Sequence, residues 1–265
     1  MTTTVLFAAV SKSDGASQGR EQRRCNNCLG RGGVATVCRL RLAQRIYLLG
    51  GKDMPGRLRQ IQNYYSERVH PRLKGFQILS WSSQEAQDGR FQILLEVLKE
   101  KLPADSCPSL LDVGCGLAEL SHFLLAQDFP VDYLGIDITE KILTEAHRRA
   151  PAVRLECQDI FQAQSPYPAA SFEVVYCSGI FNLELGNNDE FAASGLIRLA
   201  QLSSRLAVVN FLHQRTRRQF RECHYFEPEK LLSRLRQAGI TATVREDYME
   251  NDFTIICEKE YREEP

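Results

Sequence analysis

The sequence predicts an α/β fold, a mostly parallel sheet of seven strands with helices on both faces and an antiparallel hairpin at the C-terminal end. Three observations predict it. Apolar strand-like runs alternate with helix-period segments from Leu110 onward, which implies parallel strands joined by covering helices. The first of these strands runs straight into Gly114-Cys115-Gly116 and a helical pattern. The last two strand-like runs follow each other with a turn signal around Asn251-Asp252 and no helix between them, the mark of a hairpin.

The elements follow in order. Residues 56–70 carry Leu58, Ile61, Tyr64, Tyr65 and Val69 near helical spacing. A second helix is expected over 84–101, with Phe91, Leu94, Leu95 and Leu98 on one face. These two are expected to form a helical cap (56–101) over a core of residues 108–260. Pro103, Asp105 and Pro108 close the intervening loop. Residues 110–113 are the first strand, and Leu117, Ala118, Leu120, Phe123, Leu124 and Leu125 mark the helix after it. Strands are then expected at 131–137, 155–160, 172–179 and 206–212, and helices at 139–150, 191–202 and 228–238. Gly239 caps the last of these helices. The hairpin strands are expected at 241–248 and 253–259.

The turn carries the chemistry. Gly114 and Gly116 free the backbone for positive φ and remove side chains where a ligand comes close. Asp137 ends the second strand 21 residues after Gly116, near the spacing at which a strand-end acid meets ribose hydroxyls. It also fits as an N-cap of the following helix. A dinucleotide fingerprint would place a third glycine where this chain has Glu119. A carboxylate there suits the helix dipole but repels a pyrophosphate, so NAD or FAD fits poorly. A cofactor without phosphates and with a positive centre, S-adenosyl-L-methionine, fits better. Asp112 adds negative charge near its sulfonium and ammonium groups.

On these residues the chain resembles the class I S-adenosylmethionine-dependent methyltransferases, over about residues 56 to 260, and among them bacterial small-molecule methyltransferases of unassigned substrate. Leu111-Asp112-Val113-Gly114-Cys115-Gly116 is similar to the family's first motif, with Ala118 where a third glycine is frequent. Ile136-Asp137-Ile138 is similar to the second strand, whose acid holds the ribose. In Leu155-Glu156-Cys157-Gln158-Asp159-Ile160 the resemblance implies that Asp159 takes the adenine amino group and that Ile160 packs on the ring. Residues 172–179 are similar to the fourth strand, so Ser178 is expected beside the methionine portion. The resemblance implies a Rossmann-like, seven-stranded fold and S-adenosyl-L-methionine as cofactor. The stretch Trp81 to Phe91 is similar to a segment before the core in that small-molecule branch. It implies that Arg90 reaches the cofactor carboxylate through a bidentate pair, and the other reading of Arg90 is a solvated residue on an amphipathic helix.

Methyl transfer is an in-line displacement, so the enzyme aligns acceptor, methyl and sulfur and in some cases removes a proton. The acceptor is expected above the ends of the fourth and fifth strands. The fourth-strand loop lacks the Asn-Pro-Pro-aromatic motif of amino-group methylation. Asn182 there either orients an acceptor or serves the turn. His213 and His224 are the general-base candidates, each with a surface role as the alternative. Tyr225 and Phe226 either line an aromatic acceptor pocket or pack beneath the next helix. Arg215, Arg217, Arg218 and Arg221 either hold an anionic acceptor or form a solvated loop.

Length and charge bound the rest. The chain has 265 residues, 43% of them hydrophobic, enough for one sizeable core with a small appendage. Its net charge is zero, but residues 1–53 carry +6 and the remainder −6. An acidic body argues against a nucleic-acid substrate, which needs a basic face. Nine cysteines, several of them in predicted strands, suit a reducing cytoplasm better than a disulfide framework. No run of 18 apolar residues occurs.

Residues 1–53 form a basic segment read as a disordered tail, an over-extended start before Met54, or a transit peptide. The methyltransferase domain is expected over 54–265. Cys25-Asn26-Asn27-Cys28-Leu29-Gly30-Arg31-Gly32 resembles one unit of the zinc repeats of a co-chaperone family. With Cys38 it offers three thiolates where a closed zinc site takes four ligands. Three functional readings stand. They are methyl transfer to a small molecule, methyl transfer to RNA or protein using the basic arm, and a non-catalytic cofactor-binding subunit.

Overall fold

A computed structural model of the protein describes residues 54–162 and 164–259. The 1–53 segment and the zinc candidates Cys25, Cys28 and Cys38 lie outside the described residues.

The chain enters through helix α1 (Met54–Ser66). It ends at Ser66, short of the expected boundary at 70, in a turn where the Arg68 N–H donates to Tyr65 O at 3.0 Å. A one-turn helix, α2 (Gly75–Ile78), had no periodic signal. Helix α3 (Gln84–Lys101) has the expected bounds. Ser83 caps it by accepting a hydrogen bond from the Ala86 N–H at 3.1 Å, and Lys99 and Lys101 in the last turn complement its dipole.

The core alternates as expected. It runs through β1 (Ser109–Val113), α4 (Glu119–Ala126), β2 (Asp132–Asp137), α5 (Glu140–Arg149), β3 (Leu155–Cys157) and β4 (Phe172–Ser178). It continues through α6 (Asn188–Leu202), β5 (Ser203–Leu212), α7 (Pro228–Gln237), β6 (Ala242–Arg245) and β7 (Asp252–Glu258). The sheet order is β3-β2-β1-β4-β5-β7-β6. The first five strands pair in parallel, and β7 runs antiparallel to both β5 and β6. The order reverses between β1 and β4, where ligands of open α/β sheets bind.

Other boundaries differ from expectation too, and two of them have a cause in the adjoining loops. Strand β3 stops at Cys157, because the Asp159 carboxylate accepts from the Phe161 N–H at 2.8 Å and turns the chain. The hairpin connection is residues 246–251 rather than a short turn at Asn251-Asp252, and Asp252 opens β7. Its backbone is held by the loop after β5. Arg215 donates to the carbonyls of Glu246 and Glu250, and the His213 N–H donates to Asn251 O at 2.8 Å.

Alternation along the strands fills two cores. Leu111, Val175, Val209 and Ile255 face α6 and α7, whereas Leu110, Val174, Val208 and Ile256 face α3 and α4. A smaller cluster of Ile78, Leu117, Ile142 and Ala146 lies under the cap, with Tyr65 and Leu79 against it. Among the described residues no helix is long and apolar enough to cross a membrane. None of their His, Cys, Asp and Glu side chains group in threes to hold a metal.

Candidate cofactor and acceptor cavity

At the switch point the last residues of four strands, Val113, Asp137, Ser178 and Leu212, open onto a cavity of about 540 Å³. That is within the roughly 300–1,000 Å³ typical of small-molecule sites. Helix α1 and residues 79–82 also line it.

The glycine turn forms one wall. Gly114 and Gly116 have φ of +72° and +56°, and the N–H groups of Gly114 and Cys115 both donate to Ile136 O, at 2.8 and 2.9 Å. The side-chain-free turn serves the protein's own packing. A Cβ on Gly114 would lie 2.1 Å from Ile180 Cγ2, and one on Gly116 2.8 Å from Leu79 Cδ1. Ala118, at the position where a third glycine is frequent, has φ +59°. Its Cβ costs about 1 kcal/mol in that left-handed geometry.

Asp137 connects the turn to β2. Its Oδ2 accepts from Gly116 N–H at 3.2 Å and its Oδ1 from Thr139 N–H at 2.8 Å. Burial raises this carboxyl above the usual carboxylate range, and the two backbone donors oppose the rise. It lines the cavity, and the N-cap residue of α5 is Thr139, from whose N–H it accepts, so Asp137 is not itself the cap. Ile138, Asp159 and Ile160 stand on the same wall. Asp159 is likewise raised by burial and opposed by the Phe161 N–H.

Other expected residues sit elsewhere. Asp112 is 4% exposed and does not line the cavity. Its Oδ2 accepts from the Tyr133 hydroxyl at 2.6 Å. Burial pushes its carboxyl up to about 7, the Tyr133 hydrogen bond opposes this, and the charge of Asp137 adds to it. Cys115 is buried with its sulfur toward Gly135, away from the cavity. Glu119 also turns away. Its Oε2 accepts from Gln87 at 2.7 Å and it packs against Gly75, so its charge does not guard the helix N-terminus against a pyrophosphate as the sequence suggested.

Arg90 is neither solvated nor open-handed. It lines the cavity yet is 3% exposed. Its Nη2 lies 2.6 Å from Asp252 Oδ2 and its Nε donates to Asn210 Oδ1 at 3.0 Å. Nη1 donates to Ala86 O, and the guanidinium lies 4.4 Å from the Trp81 ring. Asn210 Oδ1 also accepts from Ser178 Oγ at 3.3 Å, so the network reaches the tip of β4. Sequence reasoning missed Asn210 and Asp252. The signal for Asn210 was a polar residue inside the apolar run 206–212, whereas Asp252 had none.

None of the five histidines lines the cavity. His213 Nε2 pairs with Glu246 at 3.2 Å and its ring packs edge-on against Phe253. His224 has Nδ1 2.9 Å from Glu184 Oε2 and Nε2 3.2 Å from Asp189 Oδ1. Both are paired with carboxylates, and the structure does not bring either onto the cavity wall with the glycine turn. Asn182 does line the cavity. Its N–H closes the Gly179 turn at 3.1 Å and its buried Oδ1 has no hydrogen-bond partner. Tyr225 lines the cavity, but Phe226 belongs to the core. Of the arginine run, Arg217 and Arg218 reach the wall. Tyr64, Phe161, Phe191 and Phe220 also face the cavity. Phe161 and Phe191 had not been singled out as site residues, since an aromatic beside an apolar run reads as core.

Residues 110–199 match the family described as Methyltransferase domain. No curated protein matches the sequence. The structure is similar to a magnesium protoporphyrin IX methyltransferase from Synechocystis PCC 6803 with bound S-adenosylhomocysteine. That likeness has 17% identity over 77% of this chain and 100% of the other, with a TM-score of 0.54. It is also similar to DhpI in complex with S-adenosylhomocysteine (16% identity, 78% and 99% covered, TM-score 0.56). A third similar structure is geranyl diphosphate C-methyltransferase from Streptomyces coelicolor A3(2), with magnesium, geranyl diphosphate and S-adenosylhomocysteine (11% identity, 76% and 98% covered, TM-score 0.53). Residues 110–199 thus carry a methyltransferase domain, set in a fold similar to those of solved methyltransferases.

Proposed function

We propose that the protein transfers the methyl group of S-adenosyl-L-methionine to a small-molecule acceptor by in-line displacement within the 540 Å³ cavity. The observation that carries this is Asp137, a buried carboxylate at the tip of β2, hydrogen-bonded to the Gly116 N–H and standing on the cavity wall. A desolvated carboxylate with a raised pKa regains partners when hydroxyls donate to it, which suits a ribose. Asp159 would accept from the adenine amino group, with Ile138 and Ile160 against the ring. Ser178 and the Arg90 network would border the methionine end. When bound, the cofactor supplies an electrophilic methyl on a positive sulfur. The chain's own contribution is to orient the acceptor and exclude water.

The size of the cavity and its aromatic lining favour a small molecule over a macromolecule. The similar structures point the same way, since those named for their substrates act on a porphyrin and a prenyl diphosphate. Asn182 is the residue proposed to orient the acceptor. The six described cysteines are all free thiols, which supports placing the enzyme in the cytoplasm. Calorimetric titration with S-adenosylmethionine, S-adenosylhomocysteine and NAD tests the proposal. Micromolar binding of both adenosyl ligands, none of NAD, and a loss of at least tenfold in Asp137→Ala are expected. Absence of adenosyl binding would overturn it.

A further inference from the structure

We propose that the acceptor is a flat, mostly apolar molecule bearing one carboxylate or phosphate group, and that Arg218 receives this anion. The inference rests on the methyltransferase reading above and names the substrate class of the same cavity.

The loop between β5 and α7 carries four arginines, and the structure gives them different work. Arg215 donates to the Glu246 and Glu250 carbonyls and so holds the hairpin connection. Arg217 pairs with Glu250 at 3.1 Å. Arg221 is not on the cavity wall. Arg218 is on it, and its guanidinium lies 5.3 Å from the centre of the Phe220 ring. A guanidinium resting on an aromatic face keeps its charge, is weakly hydrated, and presents a planar fork that fits carboxylate or phosphate.

Phe220 supports the apolar half of the argument. It lines the cavity yet is 52% exposed, one of two large hydrophobic side chains so exposed among the described residues. The loop is braced in this position by the Phe220 N–H, which donates to the Tyr225 hydroxyl at 2.9 Å. Together with Tyr64, Phe161, Phe191 and Tyr225, Phe220 gives the cavity an aromatic lining that suits an apolar ligand. The wall repeats the pairing, with the Arg57 guanidinium 4.5 Å from the Phe191 ring and bonded to Asn187. Against these charges stand Glu250, paired with Arg217, and Glu222. The acceptor end therefore keeps a positive balance on an aromatic lining.

The test uses the full chain saturated with S-adenosylhomocysteine, near neutral pH, titrated with four probes of one shape: naphthoate, naphthyl phosphate, naphthol and naphthylmethylamine. One or both anions should bind at least tenfold more tightly than the neutral and cationic probes, and the better anion identifies the head group. Arg218→Gln should remove the preference, whereas Arg221→Gln on the same loop should keep it. Equal binding of all four, preference for the amine, no probe binding, or an unchanged preference in Arg218→Gln would overturn the inference. S-adenosylhomocysteine affinity in each variant separates the two readings. If that affinity is intact the cofactor site stands whatever the probes do, and if the parent chain lacks it the methyltransferase reading falls first.

Discussion

At the scale of single residues, the carboxyl groups around the turn have different duties. Asp112 is buried against Tyr133 with its pKa near 7, against about 3.9 in an unfolded chain. The folded state then binds more protons than the unfolded one between about pH 4 and pH 7, so this residue lowers stability as pH rises through that window. Asp112→Asn removes the titration while keeping an acceptor for the Tyr133 hydroxyl. Urea denaturation should show the variant equal to or below the parent at pH 4. It should be more stable at pH 8, by at most about 4 kcal/mol. A parent that gains stability relative to the variant as pH rises would reverse the argument. The histidines give a second expectation. Loss of a general base costs roughly 10²–10⁴ in rate, but neither His213 nor His224 lines the cavity. With any acceptor that the enzyme methylates, His213→Ala and His224→Ala should lower kcat by less than about tenfold.

At the scale of elements, Arg90 ties α3 to β7 through a pair that is 3% and 0% exposed. Removing one partner of such a pair leaves a buried charge unmatched and costs about 3–5 kcal/mol. Arg90→Met should therefore destabilise the protein by that order in urea denaturation. Arg90→Met combined with Asp252→Leu should recover most of the loss. If the single variant is harmless, the pair does not anchor the cap. This pair also shows where sequence reading stops. The strands β1, β2, β4 and β5 were legible because each is a dense apolar run. Helix α3 was legible because its apolar face, Phe91, Leu94, Leu95 and Leu98, marks it. One-turn α2 and the early end of β3 were not, since a single Asx turn at Asp159 decides the latter. Of the candidate site, Gly114, Gly116 and Asp137 were visible as a spaced pattern, and Asp159 only through the family resemblance. The partnership of Arg90 with Asp252, 162 residues away, was not, because no local periodicity encodes a contact between a cap helix and the last strand. Glu119 failed for a related reason, as sequence places a residue at a helix start without saying which way its side chain turns.

At the scale of the whole molecule, the cavity is a joint between parts that are far apart in sequence. Its walls come from α1, from residues 79–82 and from the tips of four strands. Leu79 packs at Gly116, Trp81 at Gly179 and Ile180 at Gly114, so the cap and the sheet meet at the glycines that border the cavity. A ligand held there touches both and must stabilise them together. For a cofactor that binds only the folded state, stabilisation follows RT ln(1 + [L]/Kd), about 2.7 kcal/mol at a concentration one hundred times Kd. For a domain of this size that corresponds to a rise in Tm of about 5–10 °C. S-adenosylhomocysteine should produce this shift in the full chain as one cooperative transition, and NAD at the same concentration should produce none. Gly179→Ala provides the contrast. Its φ of +89° and a Cβ 2.7 Å from Trp81 oppose the closed joint without touching Asp137 or Asp159. This variant should melt lower without ligand and keep a smaller shift with it. If calorimetry instead resolved two transitions, with only the later one moved by S-adenosylhomocysteine, the cap would be melting independently and the cofactor would be held by the sheet edge alone.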